Sequence, residues 1–170
     1  MRDTEEFQEF AIARTPALYR AARLMSGDPS LAEDLVQETL AKVYLAWGRR
    51  RIDNPAAYAR VILVRTFISS KRRRSASELP MATCVEISQN GAGSDDVDLA
   101  LRMDLAAGLA SLPASDRAVL VARYFDDQSI GDIAVAIKKS PAATRRQASR
   151  ALEKLRLALG PDYAVEGALS

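Results

Sequence analysis

Apolar residues recur at every third or fourth position along most of the chain, and the alternation expected of strands is weak everywhere. Phe7, Phe10, Ile12, Leu18, Tyr19 and Leu24 outline a first helical stretch, which the segment SGDPS at 26–30 interrupts. A second helix follows, with Leu31, Leu35, Val36, Leu40, Val43, Tyr44 and Trp47 toward its buried side. Its start carries two signals: Pro29 suits a first-turn position after Asp28, and Ser30 with Glu33 has the spacing of a capping box. Gly48 and the segment IDNP at 52–55 end it. A third helix is expected from about Pro55 to Arg74, with Ala57, Val61, Val64 and Ile68 on one face.

From 75 to 98 the period dissolves into Gly, Ser and acids, the composition of a flexible connector. Helical spacing resumes with Leu99, Leu101, Leu105 and Leu109. Pro113 then opens a helix carrying Val119, Leu120, Ala122 and Tyr124. The final pair is short and tight: Ile130, Ile133, Ala134 and Ile137 share one face, KKS at 138–140 turns the chain, and Ala148, Leu152, Leu155 and Leu159 point inward from the last helix. The expected fold is all-α: a helical domain over 1–74, a flexible acidic linker over 75–98, and a second helical domain over 99–170 with a loose tail from about 160.

Charge sharpens that division. The connector holds Glu78, Glu86, Asp95, Asp96 and Asp98 and no Lys or Arg, while the segments on either side are net basic. With no His and a single Cys, Cys84, the chain lacks the donors for a protein-built metal site, and no cofactor is expected. The missing imidazole also removes the commonest general base at neutral pH. No apolar run approaches the ~18–20 residues of a membrane span. The acidic start MRDTEEFQEF lacks an export signal, so a cytoplasmic protein is expected.

The last two helices have the dimensions of a helix-turn-helix. Ser140 caps the second of them and Pro141 presets its first turn. With the inward set fixed, Arg145, Arg146, Ser149 and Arg150 face outward. The Arg fork can grip a phosphate or the edge of guanine, and a helix N-terminus offers free N–H groups to phosphate. A solvated surface helix accounts for the same residues, and this segment alone does not choose.

Two longer stretches do. The segment AEDLVQETLAKVYLAW at 32–47 resembles the core-polymerase-binding helix of bacterial sigma factors. LPASDRAVLVARYFDDQSIGDIAVAI at 112–137, followed by QASRALEKLR at 147–156, resembles their promoter-binding C-terminal domain. Their order and spacing are similar to those of the small extracytoplasmic-function (ECF) sigma factors, and the likeness covers about 5–74 and 99–159. It implies a promoter-specificity subunit that performs no bond chemistry itself. Its partners would be core RNA polymerase and double-stranded promoter DNA, often with an anti-sigma protein that holds it inactive.

The resemblance also distributes roles. Asp34, Gln37 and Glu38, opposite Val36, Leu40 and Val43, would dock on the polymerase. Arg49, Arg50, Arg51, Asp53, Asn54, Arg60, Arg65, Lys71 and Arg72 would meet the −10 element, where flipping a base out of the stack costs a few kcal/mol that a pocket and positive charge must offset. Asn54-Pro55 also reads as a plain helix-start turn. Ser140, Thr144, Arg145, Arg146, Ser149 and Arg150 would meet the −35 element. The connector spans roughly 27 Å relaxed and about 80 Å drawn out. The two promoter elements lie on the order of 60 Å apart, so it bridges them only when extended.

Two departures from the family pattern stand out. Lys138 occupies the turn position where Gly is usual, and Ala142-Ala143-Thr144 replaces a small-Thr-Val start to the recognition helix. Two other functions compete. A helix-turn-helix regulator acting without polymerase leaves the 34–38 face unexplained, and a hydrolase built on Asp126 and Asp127 would have carboxylates about 100° apart on a helix.

Overall fold

The computed structural model describes residues 2–49, 52–77 and 96–161, with side chains over 3–49, 52–76 and 102–161. Seven α-helices account for most of these residues, and none of them lies in a strand. They are α1 (Arg2–Ser26), α2 (Pro29–Trp47), α3 (Pro55–Ser77), α4 (Asp96–Ala110), α5 (Ala114–Leu120), α6 (Ile130–Ile137) and α7 (Pro141–Leu159). The all-α expectation holds, with α1–α3 forming one helical group and α4–α7 the other. α3 and α4 each reach three residues into the span read as connector; the remainder of that span, the tail from 162, and Arg50 and Arg51 lie outside the described residues.

The helix boundaries follow local chemistry, with one correction. The cap of α2 is Asp28, whose Oδ1 accepts the amides of Ser30 at 2.8 Å and Leu31 at 3.3 Å. Pro29 occupies the first helical position, so Ser30 already lies inside the helix and cannot form the box with Glu33. Asn54 caps α3 by accepting the amide of Ala57 at 3.0 Å. Ser129 and Ser140 do the same for α6 and α7.

α5 does not end as a regular helix. It widens into a π-helical turn, Val121–Phe125, in which the amide of Asp126 reaches Val121 O at 3.0 Å. The next residues close the turn: Gln128 N bonds Ala122 O at 2.9 Å, and Arg123 Nη1 bonds Gln128 O at 3.0 Å. A single-turn π-bulge of this kind shifts the helical register by one residue. It drops Asp127 into a left-handed conformation, φ 49°.

α1, α2 and α3 pack around Met25, Leu35, Val43, Leu63 and Phe67, all fully buried. α5 and α7 close on Leu109, Val119, Leu120, Ile133, Ala151 and Leu155. Each large side chain removed from water in this way contributes about 1.5–3 kcal/mol. α4 comes close to α7 through Gly108, where an added Cβ would lie 2.9 Å from Leu155 Cδ1. The two groups also pack on each other, α3 against α5 and α6, and α1 against the π-turn.

Candidate nucleic-acid interface

Three surfaces hold the residues singled out in the sequence. On α2, the apolar period turns Leu31, Leu35, Val36 and Val43 inward and leaves Asp34 and Gln37 exposed. Glu38 is half-buried and already engaged: Lys42 Nζ lies 2.8 Å from its Oε1, and Arg73 Nη2 lies 3.5 Å from its Oε2. The Lys42 hydrogen bond, ahead of the two positive charges, holds the Glu38 carboxyl below its usual value against a smaller opposing effect of burial. The same face continues through exposed Ala41 and Leu45. Leu45, 60% exposed, was not singled out in the sequence, although the steps from Asp34 through Gln37 and Ala41 to Leu45 have helical spacing. Tyr44, read as inward, is 48% exposed and rests on the Phe7 ring at 4.9 Å.

The second surface belongs to the α2–α3 loop and α3. Arg49, Asp53 and Arg72 are exposed. Asn54 is exposed as well, but its side-chain oxygen is occupied by the cap of α3. Arg60 and Arg65 are half-buried and turn toward the other helical group: Arg60 Nη1 donates to Asp126 O at 3.2 Å and Arg65 Nη2 to Val135 O at 3.0 Å. Lys71 sits over the Phe67 ring, its ammonium 5.9 Å from the centroid. Burial, then the charges of Arg117 and Arg74, push its pKa down despite Asp28. Arg65, Lys71 and Arg72 share a cleft of about 470 Å³ with Lys138 and Lys139, and among the described residues no carboxylate lines it.

The third surface is α7. Thr144, Gln147, Ala148, Ala151 and Leu155 face inward, which leaves Arg145, Arg146, Ser149 and Arg150 exposed together. Lys138 takes a left-handed conformation, φ 57° and ψ 47°, at the end of α6, the position where Gly would carry no steric cost. Ser140 is exposed and its hydroxyl oxygen accepts Ala143 N at 3.2 Å.

Thr144 must be removed from the expected DNA-facing set. It is fully buried, and its hydroxyl donates to Ser140 O at 2.9 Å. The phase of α7 is set by Ala148, Ala151 and Leu155, and Thr144 falls four residues before the first of these, on the same face.

Gln147 is a buried polar residue that the sequence reading passed over. Its Nε2 donates to Ser115 Oγ at 3.0 Å and Asp116 Oδ1 at 2.9 Å, and its Oε1 accepts Lys139 Nζ at 2.8 Å. Lys154 closes the cluster on Asp116 Oδ2 at 2.7 Å. Burial pushes the Asp116 carboxyl up, but bonds from Lys154 and Gln147 and the charges of Lys154 and Arg150 outweigh it and hold the group below its usual value. These bonds fix α7 on α5 and so aim the outward arginines. A lone Gln among Ala and Leu carries no sequence signal of this role.

Asp126 is shielded, which pushes its pKa up; its Oδ2 accepts Gln128 Nε2 at 2.8 Å, while Asp127 is exposed. Among the described residues, no group of three or more His, Cys, Asp or Glu could hold a metal ion. None of the described helices is long and apolar enough to cross a membrane.

Comparison with known proteins adds to this geometry. Residues 12–77 match the family described as Sigma-70 region 2, and residues 102–155 match Sigma-70, region 4. The chain is 32% identical over 160 residues to the RNA polymerase sigma-E factor of Streptomyces coelicolor, covering 92% of this chain and 87% of that protein. It is 30% identical over 148 residues to the ECF RNA polymerase sigma factor SigL of Mycobacterium tuberculosis, covering 84% and 82%. Among solved structures, the sigma factor RpoE in complex with the anti-sigma factor NepR, from Bartonella quintana, superposes with a TM-score of 0.74 at 25% identity, over 94% of this chain and 99% of that one. CnrH in complex with the cytosolic domain of CnrY superposes with a TM-score of 0.66 at 22% identity, over 94% and 91%.

Proposed function

The chain belongs to the sigma-70 family as an ECF-type RNA polymerase sigma factor, and from that premise we propose how its three surfaces divide the work. Asp34 and Gln37, with Glu38 held by Lys42 and Arg73, form the acidic and amide face that docks on core polymerase. Residues 1–74 carry this face and the −10 surface, 75–98 tether the halves, and 99–170 carry the −35 reader.

Arg145, Arg146, Ser149 and Arg150 read −35 DNA from the exposed face of α7, with Ser140 at its phosphate-facing start. Arg49, Asp53, Asn54, Arg60, Arg65, Lys71 and Arg72 form the −10 surface, in which the cations offset the cost of separating the strands. Arg50 and Arg51 belong to the same loop by sequence. The polymerase performs the bond chemistry. A cytoplasmic bacterial location and an inhibitory anti-sigma partner, as in the RpoE–NepR structure, complete the reading.

One observation carries the −35 assignment: α7 buries Thr144, Gln147, Ala148, Ala151 and Leu155 and collects three arginines and a serine on the opposite face, directly after a cap made by Ser140. The test is binding of duplex −35 DNA to the full chain. Arg145→Ala and Arg150→Ala should each lose affinity, by about 1–3 kcal/mol at one base position for a bidentate base contact. Unchanged affinity in both variants would remove α7 from the DNA.

A further inference from the structure

Five cations line the cleft of about 470 Å³ between α3 and the α6–α7 turn: Arg65, Lys71 and Arg72 from α3, and Lys138 and Lys139 from the turn. Among the described residues no carboxylate lines it. The bonds these cations make go to neutral atoms. Arg65 Nη2 donates to Val135 O, and its Nε is shielded from water without a hydrogen-bond partner. Lys139 Nζ donates to Gln147 Oε1, which leaves its other hydrogens to bind elsewhere. At Lys71, burial and then the charges of Arg117 and Arg74 lower the pKa, and the attraction of Asp28 does not offset them. Lys138 holds a left-handed backbone, φ 57°, where Gly would carry no strain, and so puts a charge at the cleft at a cost to the turn.

The cleft is not uniformly polar. Ile68, Ala114, Ala136 and Ile137 supply an apolar wall, and Ser69, Ser75 and Ser115 add hydroxyls. Ser115 Oγ accepts Gln147 Nε2 at 3.0 Å, so its own hydrogen can be donated. The volume lies within the ~300–1,000 Å³ of ordinary small-molecule sites, whose usual lining is apolar with a few placed polar groups. Five cations call for a ligand with several negative charges close together, which a chain of condensed phosphates has and a single carboxylate lacks. The apolar wall calls for a flat body attached to that chain. Magnesium on such a ligand is commonly shared with a protein carboxylate, and this lining offers none, so the side chains must supply the counter-charge themselves.

We propose that this cleft binds a nucleoside triphosphate or a related nucleoside polyphosphate without magnesium, its phosphate chain held by Arg65, Lys71, Arg72, Lys138 and Lys139 and its base laid against Ile68 and Ile137. The site does not rest on the assignment of α3 to −10 DNA. Because α3, α5 and the α6–α7 turn all contribute lining, the bound nucleotide stabilises their packing.

The experiment is isothermal titration calorimetry of the full chain in low-salt, magnesium-free buffer. Adenosine or guanosine triphosphate should bind one-to-one, inorganic tripolyphosphate more weakly, and adenosine not at all. Affinity should fall as salt rises, and again when magnesium is added, because both draw charge away from the contact. Lys138→Gly removes a cleft cation while suiting the turn, so it should lose about fivefold in affinity with no loss of stability. Ser69→Glu, at an exposed position of α3, brings a carboxylate to the cleft and should lose more. Arg156→Ala makes the same change of charge at an exposed position of α7 outside the cleft, and should bind as the unsubstituted chain does. Absence of nucleotide binding would overturn the proposal. So would equal losses in Lys138→Gly and Arg156→Ala, the sign of general attraction to a basic chain. Equal affinity for tripolyphosphate and the nucleotides would remove the apolar wall from the site, and the nucleoside with it.

Discussion

Replacing Thr144 by Val tests the orientation of the recognition helix with the smallest chemical change available. The two side chains have nearly the same shape and both are β-branched, so the helix loses little propensity. The structure buries Thr144 completely and gives its hydroxyl one bond, to Ser140 O. That carbonyl keeps its bond from the Thr144 amide at 2.9 Å, so no buried acceptor is orphaned. The lost hydroxyl bond costs about 0.5–1.5 kcal/mol, and the added buried methyl contributes about 0.8 kcal/mol in the other direction. Stability by urea denaturation should therefore change by less than about 1 kcal/mol. Affinity for −35 duplex, by fluorescence anisotropy at fixed salt, should not change. Had Thr144 touched a base, its loss would cost about 1–3 kcal/mol of binding, about fivefold or more. A fivefold drop in DNA affinity with unchanged stability would refute the inward placement and the rotation of α7 derived from it.

Lys138→Gly should stabilise the chain by about 1 kcal/mol in urea denaturation, because Lys holds a left-handed conformation at the end of α6; a loss of stability would mean the Lys side chain supplies more than its backbone strain removes. Asp126→Asn should become progressively more stable relative to the unsubstituted chain as pH rises from about 4 to about 7. Burial raises the Asp126 pKa, so its contribution is fully present below the unfolded pKa and is lost as pH rises through the folded one, whereas Asn does not titrate. A pH-independent difference would contradict that shielding. Gln37→Ala should weaken binding to core polymerase without altering the fold, read by a titration of labelled chain, and unchanged affinity would remove Gln37 from that interface.

How much of this was legible beforehand depended on whether a residue's neighbours lie near it in sequence. The helices, their proline starts and the outward set Arg145, Arg146, Ser149 and Arg150 follow from period and capping chemistry, which are local. The strain at Lys138 was also visible, because the turn needs a left-handed residue and no Gly is present. Resemblance puts Thr144 among the −35 contacts, although its register with Ala148, Ala151 and Leu155 places it inward. The cap of α2 went to Asp28 because Pro29 advances the helix start by one residue, a choice between two local signals that only the folded backbone resolves.

The rest was hidden for a different reason. The π-turn depends on Gln128 bonding back to Ala122 and on Arg123 bonding Gln128 O, partners whose pairing no period encodes. Gln147 becomes a structural hub only once α5 brings Ser115 and Asp116 beside it. Arg60, Arg65 and Arg117 bind main-chain carbonyls some seventy to ninety residues away, and a carbonyl has no sequence signature.

The most direct test of the division of labour is run-off transcription with purified core polymerase on templates randomised upstream of the start. Reading the transcribed templates should recover two separated blocks of preferred sequence, with Arg145→Ala and Arg150→Ala relaxing only the upstream block. Transcription without a shared upstream block, or relaxation of both blocks together by those two substitutions, would contradict it.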